Sequence, residues 1–270
     1  MHSGLPAEVR LLRADSPLVF RAPRGDGMLS ELTIARADHG VRLRCDPLQL
    51  DVDSVEHLLA ALAGLSIRSG VVVEVASVEL PLLDGGALAF ARALTGLAPP
   101  RAPPSIHVAR TGTVSVGAST YSFEPGESTR LEVEIDFAAP GIGAQRAAWD
   151  GTPEAFVRDI AWARTFGFRK DAAGLLAAGR ARGADPSTVM VLDDDGHVEP
   201  PGAPALPDEF ARHKLLDLLG DLYLFGGPPR GVVRAKRPGH AATHRAVVEA
   251  RCRGIIGASP RPFALGFDAS

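Results

Sequence analysis

His213, Asp217 and Asp221 recur every four residues in the run Asp208-Glu209-Phe210-Ala211-Arg212-His213-Lys214-Leu215-Leu216-Asp217-Leu218-Leu219-Gly220-Asp221. On a helix that spacing stacks all three side chains along one stripe. Leu215, Leu216, Leu219 and Leu222 cover the remaining faces, which predicts a buried helix. An imidazole and two carboxylates withdrawn from water are costly unless a cation or good partners satisfy them. A metal ion is the simplest such cation, with His213 and Asp217 as ligands and Asp221 as a nearby anionic partner. Taken alone, a His and an Asp at i, i+4 are as readily a hydrogen-bonded surface pair. The metal reading therefore needs a third ligand and a base from elsewhere in the chain.

The segment Asp53-Ser54-Val55-Glu56-His57-Leu58-Leu59-Ala60-Ala61-Leu62-Ala63-Gly64-Leu65 supplies both. It reads as a strand end, a cap at Ser54 or Asp53, and a helix whose apolar stripe is Leu58, Leu59, Leu62 and Leu65. His57 completes a His/His/Asp set and leaves a fourth position open, as catalytic zinc requires. Glu56 faces the same site as a general base. The plain alternative is an exposed first-turn pair, since carboxylates suit helix N-termini. In Arg237-Pro238-Gly239-His240-Ala241-Ala242, Pro238 and Gly239 mark a loop and His240 opens a helical run through Val247 and Val248. His240 is a candidate general acid or transition-state cation, although a lone loop histidine is more often a solvated surface residue.

The elements that must position these residues fall into two halves, separated by the proline-rich stretch Leu97-Ala98-Pro99-Pro100-Arg101-Ala102-Pro103-Pro104. Before it come short strands, clearest at Val71 to Val75, the helix from Ser54 and an alanine-rich helix from Ala87 to Leu97. After it come a strand at Thr129 to Phe137, a helix from Pro153 to Arg164, a strand near Thr188 to Leu192, the helix carrying His213 and the helix after His240. Strands precede helices in each half, which is an α+β order rather than βαβ repetition. Asp193-Asp194-Asp195-Gly196 reads as a turn, because a calcium loop would need further spaced ligands.

Composition fits an enzyme with a substantial core. The chain has 270 residues and a net charge of −3, which gives no basic footprint for nucleic acid. Cys45 and Cys252 are too isolated for a disulfide scaffold, which suits a reducing compartment and predicts a cytoplasmic location. No run approaches the roughly 18 apolar residues of a membrane span. The start Met1-His2-Ser3-Gly4 has no signal-peptide pattern. Lysine occurs only at Lys170, Lys214 and Lys236, so one beside His213 is informative.

Read together, the segments resemble the UDP-3-O-acyl-N-acetylglucosamine deacetylases of the LpxC type, zinc hydrolases of lipid A biosynthesis. The Ser54 run resembles the family's first zinc helix. Glu79-Leu80-Pro81-Leu82-Leu83-Asp84-Gly85-Gly86 resembles the strand and turn before its second helix, and Ile135-Asp136-Phe137 with Pro140 resembles another strand. Ala163-Arg164-Thr165-Phe166-Gly167-Phe168 matches a substrate-contacting signature. The run from Asp208 to Asp221 and the Pro238-Gly239-His240 loop complete a collinear set over nearly the whole chain.

The resemblance implies His57, His213 and Asp217 as zinc ligands, Glu56 as general base, and His240 as general acid, oriented and charged by Asp221. It implies Thr165 as donor to the tetrahedral oxyanion, Phe166 stacked on the sugar, and Lys214 reaching a phosphate of the nucleotide. His2 matches a histidine of an N-terminal His-Ser/Thr-Gly motif and is implied in substrate binding. The implied fold is two similar α+β domains, here 1–98 and 105–270, each a small sheet with two helices, the helices sandwiched between the sheets and the metal at their junction. Iron(II) suits a His/His/Asp site as well as zinc.

Three departures stand out. The family has a strand ahead of the His-Ser/Thr-Gly turn, where this sequence begins; either the start is misassigned or that strand is absent, in which case the first sheet exposes an edge or loses buried area. The segment from Leu29 to Asp51 is short. Where relatives carry an apolar stretch lining a passage for the acyl chain, this chain reads Gly179-Arg180-Ala181-Arg182-Gly183-Ala184-Asp185-Pro186-Ser187, whose arginines, aspartate and proline suit an apolar passage poorly. The leading expectation is thus a zinc amidase that releases acetate from a UDP-3-O-acyl-N-acetylglucosamine-type substrate, a monomer with peripheral membrane contact left open. A paralogue acting on a different, unacylated N-acetyl sugar is the alternative. A non-catalytic binding protein is disfavoured by the intact residue set, and a zinc peptidase by the absence of an HExxH helix.

Overall fold

Ser69–Val75 is rich in β-branched residues, as a strand covered on both faces must be. In the computed structural model, which describes residues 3–139, 141–183, 188–199 and 205–257, it is an inner strand of a four-stranded sheet. It pairs antiparallel with Val9–Pro17 and parallel with Val19–Ala22, and Gly25–Met28 closes the far side. Val9–Pro17 lies at the sheet edge.

A five-stranded sheet is built from the second half. Its strand order is Gly143–Trp149, Thr129–Phe137, Gly231–Lys236, Ser119–Glu124 and Gly112–Val116. Thr129–Phe137 and Gly231–Lys236 run parallel, while the other pairs are antiparallel. The α-helices among the described residues are α1 (Glu56–Gly64), α2 (Leu88–Leu97), α3 (Pro153–Ala155), α4 (Arg169–Ala177), α5 (Glu209–Tyr223) and α6 (His240–Cys252). α2 packs on α1 and on strand Val9–Pro17; α1 packs on α5; α5 packs on α6 and on strands Thr129–Phe137 and Gly143–Trp149. The helices therefore fill the space between the two large sheets, the α+β sandwich expected from the sequence.

The crossing of α1 and α5 is the centre of this arrangement. Every residue of α1 is buried, and so is every residue of α5 except Arg212 and Lys214. Leu58, Leu59 and Leu62 are fully covered, each worth about 1.5–3 kcal/mol of transfer free energy. Gly220 sets the crossing distance, because a Cβ there would lie 2.3 Å from the Glu56 carbonyl oxygen. Small residues at this point let two backbones approach closely enough to bring Glu56 and His57 beside the α5 stripe.

Two local expectations are corrected. The N-cap of α1 is Val55, with no side-chain cap, rather than Ser54 or Asp53. Asp53 instead accepts hydrogen bonds from Arg36, Arg42 (3.0 Å) and the Ser54 amide (3.0 Å), so its carboxylate anchors the small sheet of Thr33–Arg36, Arg42–Cys45 and Leu50–Val52. The helix expected from Pro153 to Arg164 is α3 followed by a wide π turn, Phe156–Ile160. Beyond that turn the Ala161 carbonyl accepts from the Ala87 amide at 2.7 Å, and the Ala163 carbonyl is turned toward α5. Asp193 forms the expected turn, its Oδ1 accepting from the Asp195 and His197 amides. No helix among the described residues is long and apolar enough to cross a membrane.

Candidate active site

The helix crossing brings His57 of α1 against His213 and Asp217 of α5. Their ligating atoms all lie within 4.8 Å of one another, and all three residues are buried. The two imidazoles meet edge to face at 5.2 Å between ring centres. His213 donates from Nδ1 to the Ala163 carbonyl (3.1 Å), which leaves Nε2 facing Asp217 Oδ1 at 3.5 Å. His57 is likewise tied by a ring hydrogen bond to the Gly86 backbone. Backbone carbonyls holding the far nitrogens are the usual way in which metal-binding imidazoles are oriented. Burial and the neighbouring His213 push His57 down to about 3, and burial lowers His213 despite Asp217, so both rings are neutral as ligands must be. Asp217 is held well below the usual carboxylate range, because Lys214 and His213 outweigh the effect of burial. A dry cluster of two neutral imidazoles and one carboxylate, with lone pairs converging, fits a divalent metal.

Two further groups face this cluster. Glu56 is buried, and its Oε2 accepts from the Val41 amide at 2.9 Å. Burial pushes its carboxyl up to about 7, against the pull of His240. That value suits a base that must both take and give a proton near neutrality. His240 opens α6 and donates from Nδ1 to Asp221, 2.9 Å from Oδ1 and 3.1 Å from Oδ2. Burial alone would lower its ring, but Asp221 and Asp217 outweigh it and raise it to about 10, so His240 is a cation at neutral pH. Asp221 itself is held low, its burial outweighed by His240 and His244.

Glu56, His57, His213, Asp217 and His240 line one cleft of about 490 Å³. Thr165 lines it, with its backbone held by the Gly85 carbonyl and the Met190 amide. Phe166 lines it too, in edge contact with Phe210 (4.8 Å) and Phe137 (5.9 Å). Lys214 stands 2.8 Å from Asp217 Oδ2 with its ammonium over the Phe166 ring. It neutralises the oxygen that faces away from His213. His2 lies outside the described residues, while Ser3 beside it donates to the buried Glu79 carboxylate at 2.7 Å.

Two members of the arrangement were not singled out by sequence. Glu209, 1% exposed, receives both arms of Arg164 (2.8 and 3.1 Å), the Arg164 amide (3.1 Å) and the Leu206 amide (2.9 Å). This pair fastens the Ala163–Phe168 segment to α5, so Arg164 is turned inward rather than toward a substrate. His244, buried one turn beyond His240, bonds Asp221 Oδ1 at 2.9 Å. The His-x-x-x-His interval from His240 to His244 was the available signal for the second; nothing in the spacing marked the first.

In the described part of the segment that looked unsuited to an apolar passage, neither arginine lines the cleft. Arg180 is turned away to the Asp38 carbonyl (2.6 Å), and Arg182 is exposed, its Cβ against Gly4. Among the described residues of the segment, Ala181 lines the cleft, beside Ala172, Leu175, Val189 and Val191. Asp185 and Pro186 lie outside the described residues.

The family model for UDP-3-O-acyl N-acetylglycosamine deacetylase, LpxC, matches residues 1–250. The chain is 39% identical over 254 residues to the UDP-3-O-acyl-N-acetylglucosamine deacetylases of Brucella ovis, Brucella canis and Brucella suis, covering 92% of this chain and 88% of each relative.

Proposed function

The chain belongs to the UDP-3-O-acyl-N-acetylglucosamine deacetylase (LpxC) family, and from that premise we propose that it hydrolyses the acetamide of a UDP-3-O-acyl-N-acetylglucosamine in lipid A biosynthesis, releasing acetate and a free amino sugar. The observation that carries this reading is the convergence of His57, His213 and Asp217 with Glu56 and His240 in a single cleft.

His57, His213 and Asp217 would hold zinc. When bound, zinc supplies a Lewis acid that acidifies water and polarises the amide carbonyl. Glu56 removes a proton from the attacking water; its high carboxyl value lets it pass that proton on. The Thr165 hydroxyl donates to the developing oxyanion. His240, kept cationic by Asp221, protonates the departing amine nitrogen, so the amine leaves neutral. Phe166 packs against the sugar, and Lys214 exchanges its Asp217 contact for a substrate phosphate. The apolar wall of Ala172, Leu175, Ala181, Val189 and Val191 supports an acylated substrate over an unacylated one.

The test is acetate release from UDP-3-O-acyl-N-acetylglucosamine beside UDP-N-acetylglucosamine, with metal quantified in the same preparation. Turnover of the acylated substrate with one zinc bound per chain is the expected result. Turnover of only the unacylated sugar would move the chain to a different substrate with the same chemistry, and iron in place of zinc would change the cofactor alone.

A further inference from the structure

His240 does not hold Asp221 alone. His240 and His244 are one turn apart on α6, and that spacing puts both rings on the face turned to α5. Their target is a single carboxylate, 1% exposed. His240 Nδ1 is shared between Oδ1 at 2.9 Å and Oδ2 at 3.1 Å, and His244 Nε2 meets Oδ1 at 2.9 Å. A carboxylate held by one N–H can rotate about its terminal bond, which is broad and soft. A second N–H from a fixed direction sets the plane of the group, and with it the direction in which His240 presents its far nitrogen to the cleft.

His244 is itself fixed. It is 1% exposed, and its ring packs on Phe225 at 5.5 Å. Its neighbour Thr243 is buried, with its hydroxyl 3.0 Å from the Tyr121 hydroxyl. The Nδ1 of His244, by contrast, is buried with no hydrogen-bond partner among the described residues. A polar atom buried without a partner is a penalty that an apolar side chain of similar size would not carry. A residue present only to fill this space would be better as leucine. What histidine adds is the second N–H on Asp221.

We propose that His244 is a positioning residue that acts on His240 through Asp221, a role that rests on the reading of His240 as the proton donor. His244 touches no substrate. It removes one freedom from the carboxylate and shares its negative charge, so that His240 stays aimed at the leaving nitrogen.

The test compares the zinc-loaded parent with His244→Leu, which fills the space without a donor, and His244→Gln, whose amide nitrogen reaches about as far as Nε2 and can donate. Three quantities are read on each: kcat and KM for acetate release, metal content, and the NMR resonance of the hydrogen-bonded His240 Nδ1 proton, assigned by its loss in His240→Gln. We expect His244→Leu to lower kcat at least about tenfold, part of the roughly 10²–10⁴ that a well-placed acid–base group contributes. KM and metal content should not change, and the His240 resonance should move or broaden. His244→Gln should restore both kcat and resonance. A His244→Leu protein with parental kcat and an unmoved resonance overturns the proposal. So does a folded, metal-loaded His244→Gln that recovers neither. If His244→Leu does not fold, His244→Asn, too short to reach Asp221, is read by the same criteria. A parent that releases no acetate would count against the proposed function, while the resonance comparison would still decide the role of His244.

Discussion

The crossing of α1 and α5 and the walls of the cleft are built to different standards. α1 has no exposed residue, and α5 is buried but for Arg212 and Lys214. α4, which forms one wall, has no buried residue at all. It is moored at its C-terminal end by the Arg180 contact to the Asp38 carbonyl on the opposite wall. Glu56, His57, His213 and Asp217 sit in the densely buried crossing, and the α4 residues that line the cleft sit where little else constrains them. Chemistry that fails with a displacement of an ångström belongs in the first region. A wall that must accept a long flexible chain belongs in the second. Changes in the crossing should therefore destroy turnover, while changes in the walls should alter only which substrate is preferred.

The largest effects separate metal from base within the crossing itself. His213→Ala should lose both metal and acetate release. Glu56→Gln should keep its metal and lose kcat by about 10²–10⁴. Metal analysis alongside single-turnover rates checks the pair, and a Glu56→Gln protein as active as the parent would remove Glu56 from the role of base.

Next comes the clasp between the crossing and the wall. Glu209→Gln weakens a charge-assisted contact to Arg164, which should cost on the order of 1–3 kcal/mol of stability. The sign of the pH dependence follows from the direction of the Glu209 shift. Burial opposes ionisation, but Arg164 and the backbone amides of Leu206 and Arg164 outweigh it, so the carboxyl sits below its ordinary 4.5. Its contribution is fully present above that pH and disappears as pH falls through the lower folded value. Melting temperatures across the acid range should fall more steeply below about pH 4.5 for the parent than for Glu209→Gln. Parallel curves would show that the pair contributes nothing.

Gly220→Ala tests the crossing distance by itself. Its Cβ would meet backbone rather than a flexible side chain, so α1 and α5 must separate. Overpacking of this kind costs about 1–3 kcal/mol. Because Glu56 moves with α1, kcat should drop further than the loss of stability would suggest. Unchanged kcat in a destabilised protein would mean that the helices part away from the site.

The same contrast explains what could be read from sequence. Burial of His213 and Asp217 was legible from helical spacing and the surrounding leucines, whereas the approach of His57 to them was implied only by the family resemblance. Gly220 stood in the same run, yet its purpose emerges only once Glu56 is known to pass over it. Glu209 carried no signal of its own, since its partner Arg164 is distant in sequence and no local pattern links them. Arg180 and Arg182 misled for a related reason. Residue type alone suggested a polar wall, but side-chain direction decides the matter, and for Arg180 that direction is set by Asp38 from the other half of the chain.

The smallest predicted effect bears on the wall alone. Leu175 of α4 is half-buried and lines the cleft beside Ala172. Each methylene that an acyl chain buries is worth about 0.8 kcal/mol. Trimming Leu175 to Ala should therefore forfeit on the order of 1–2 kcal/mol of contact with such a chain, roughly a tenfold rise in KM. No buried residue of α4 is disturbed, so the melting temperature should hold and kcat at saturation should stay at the parental value. The comparison that decides is KM for the acylated substrate against KM for UDP-N-acetylglucosamine in Leu175→Ala. A rise confined to the acylated substrate assigns the wall to the acyl chain. An equal rise for both would mean that α4 shapes the sugar site instead, and the separation between a rigid crossing and a permissive wall would have to be drawn elsewhere.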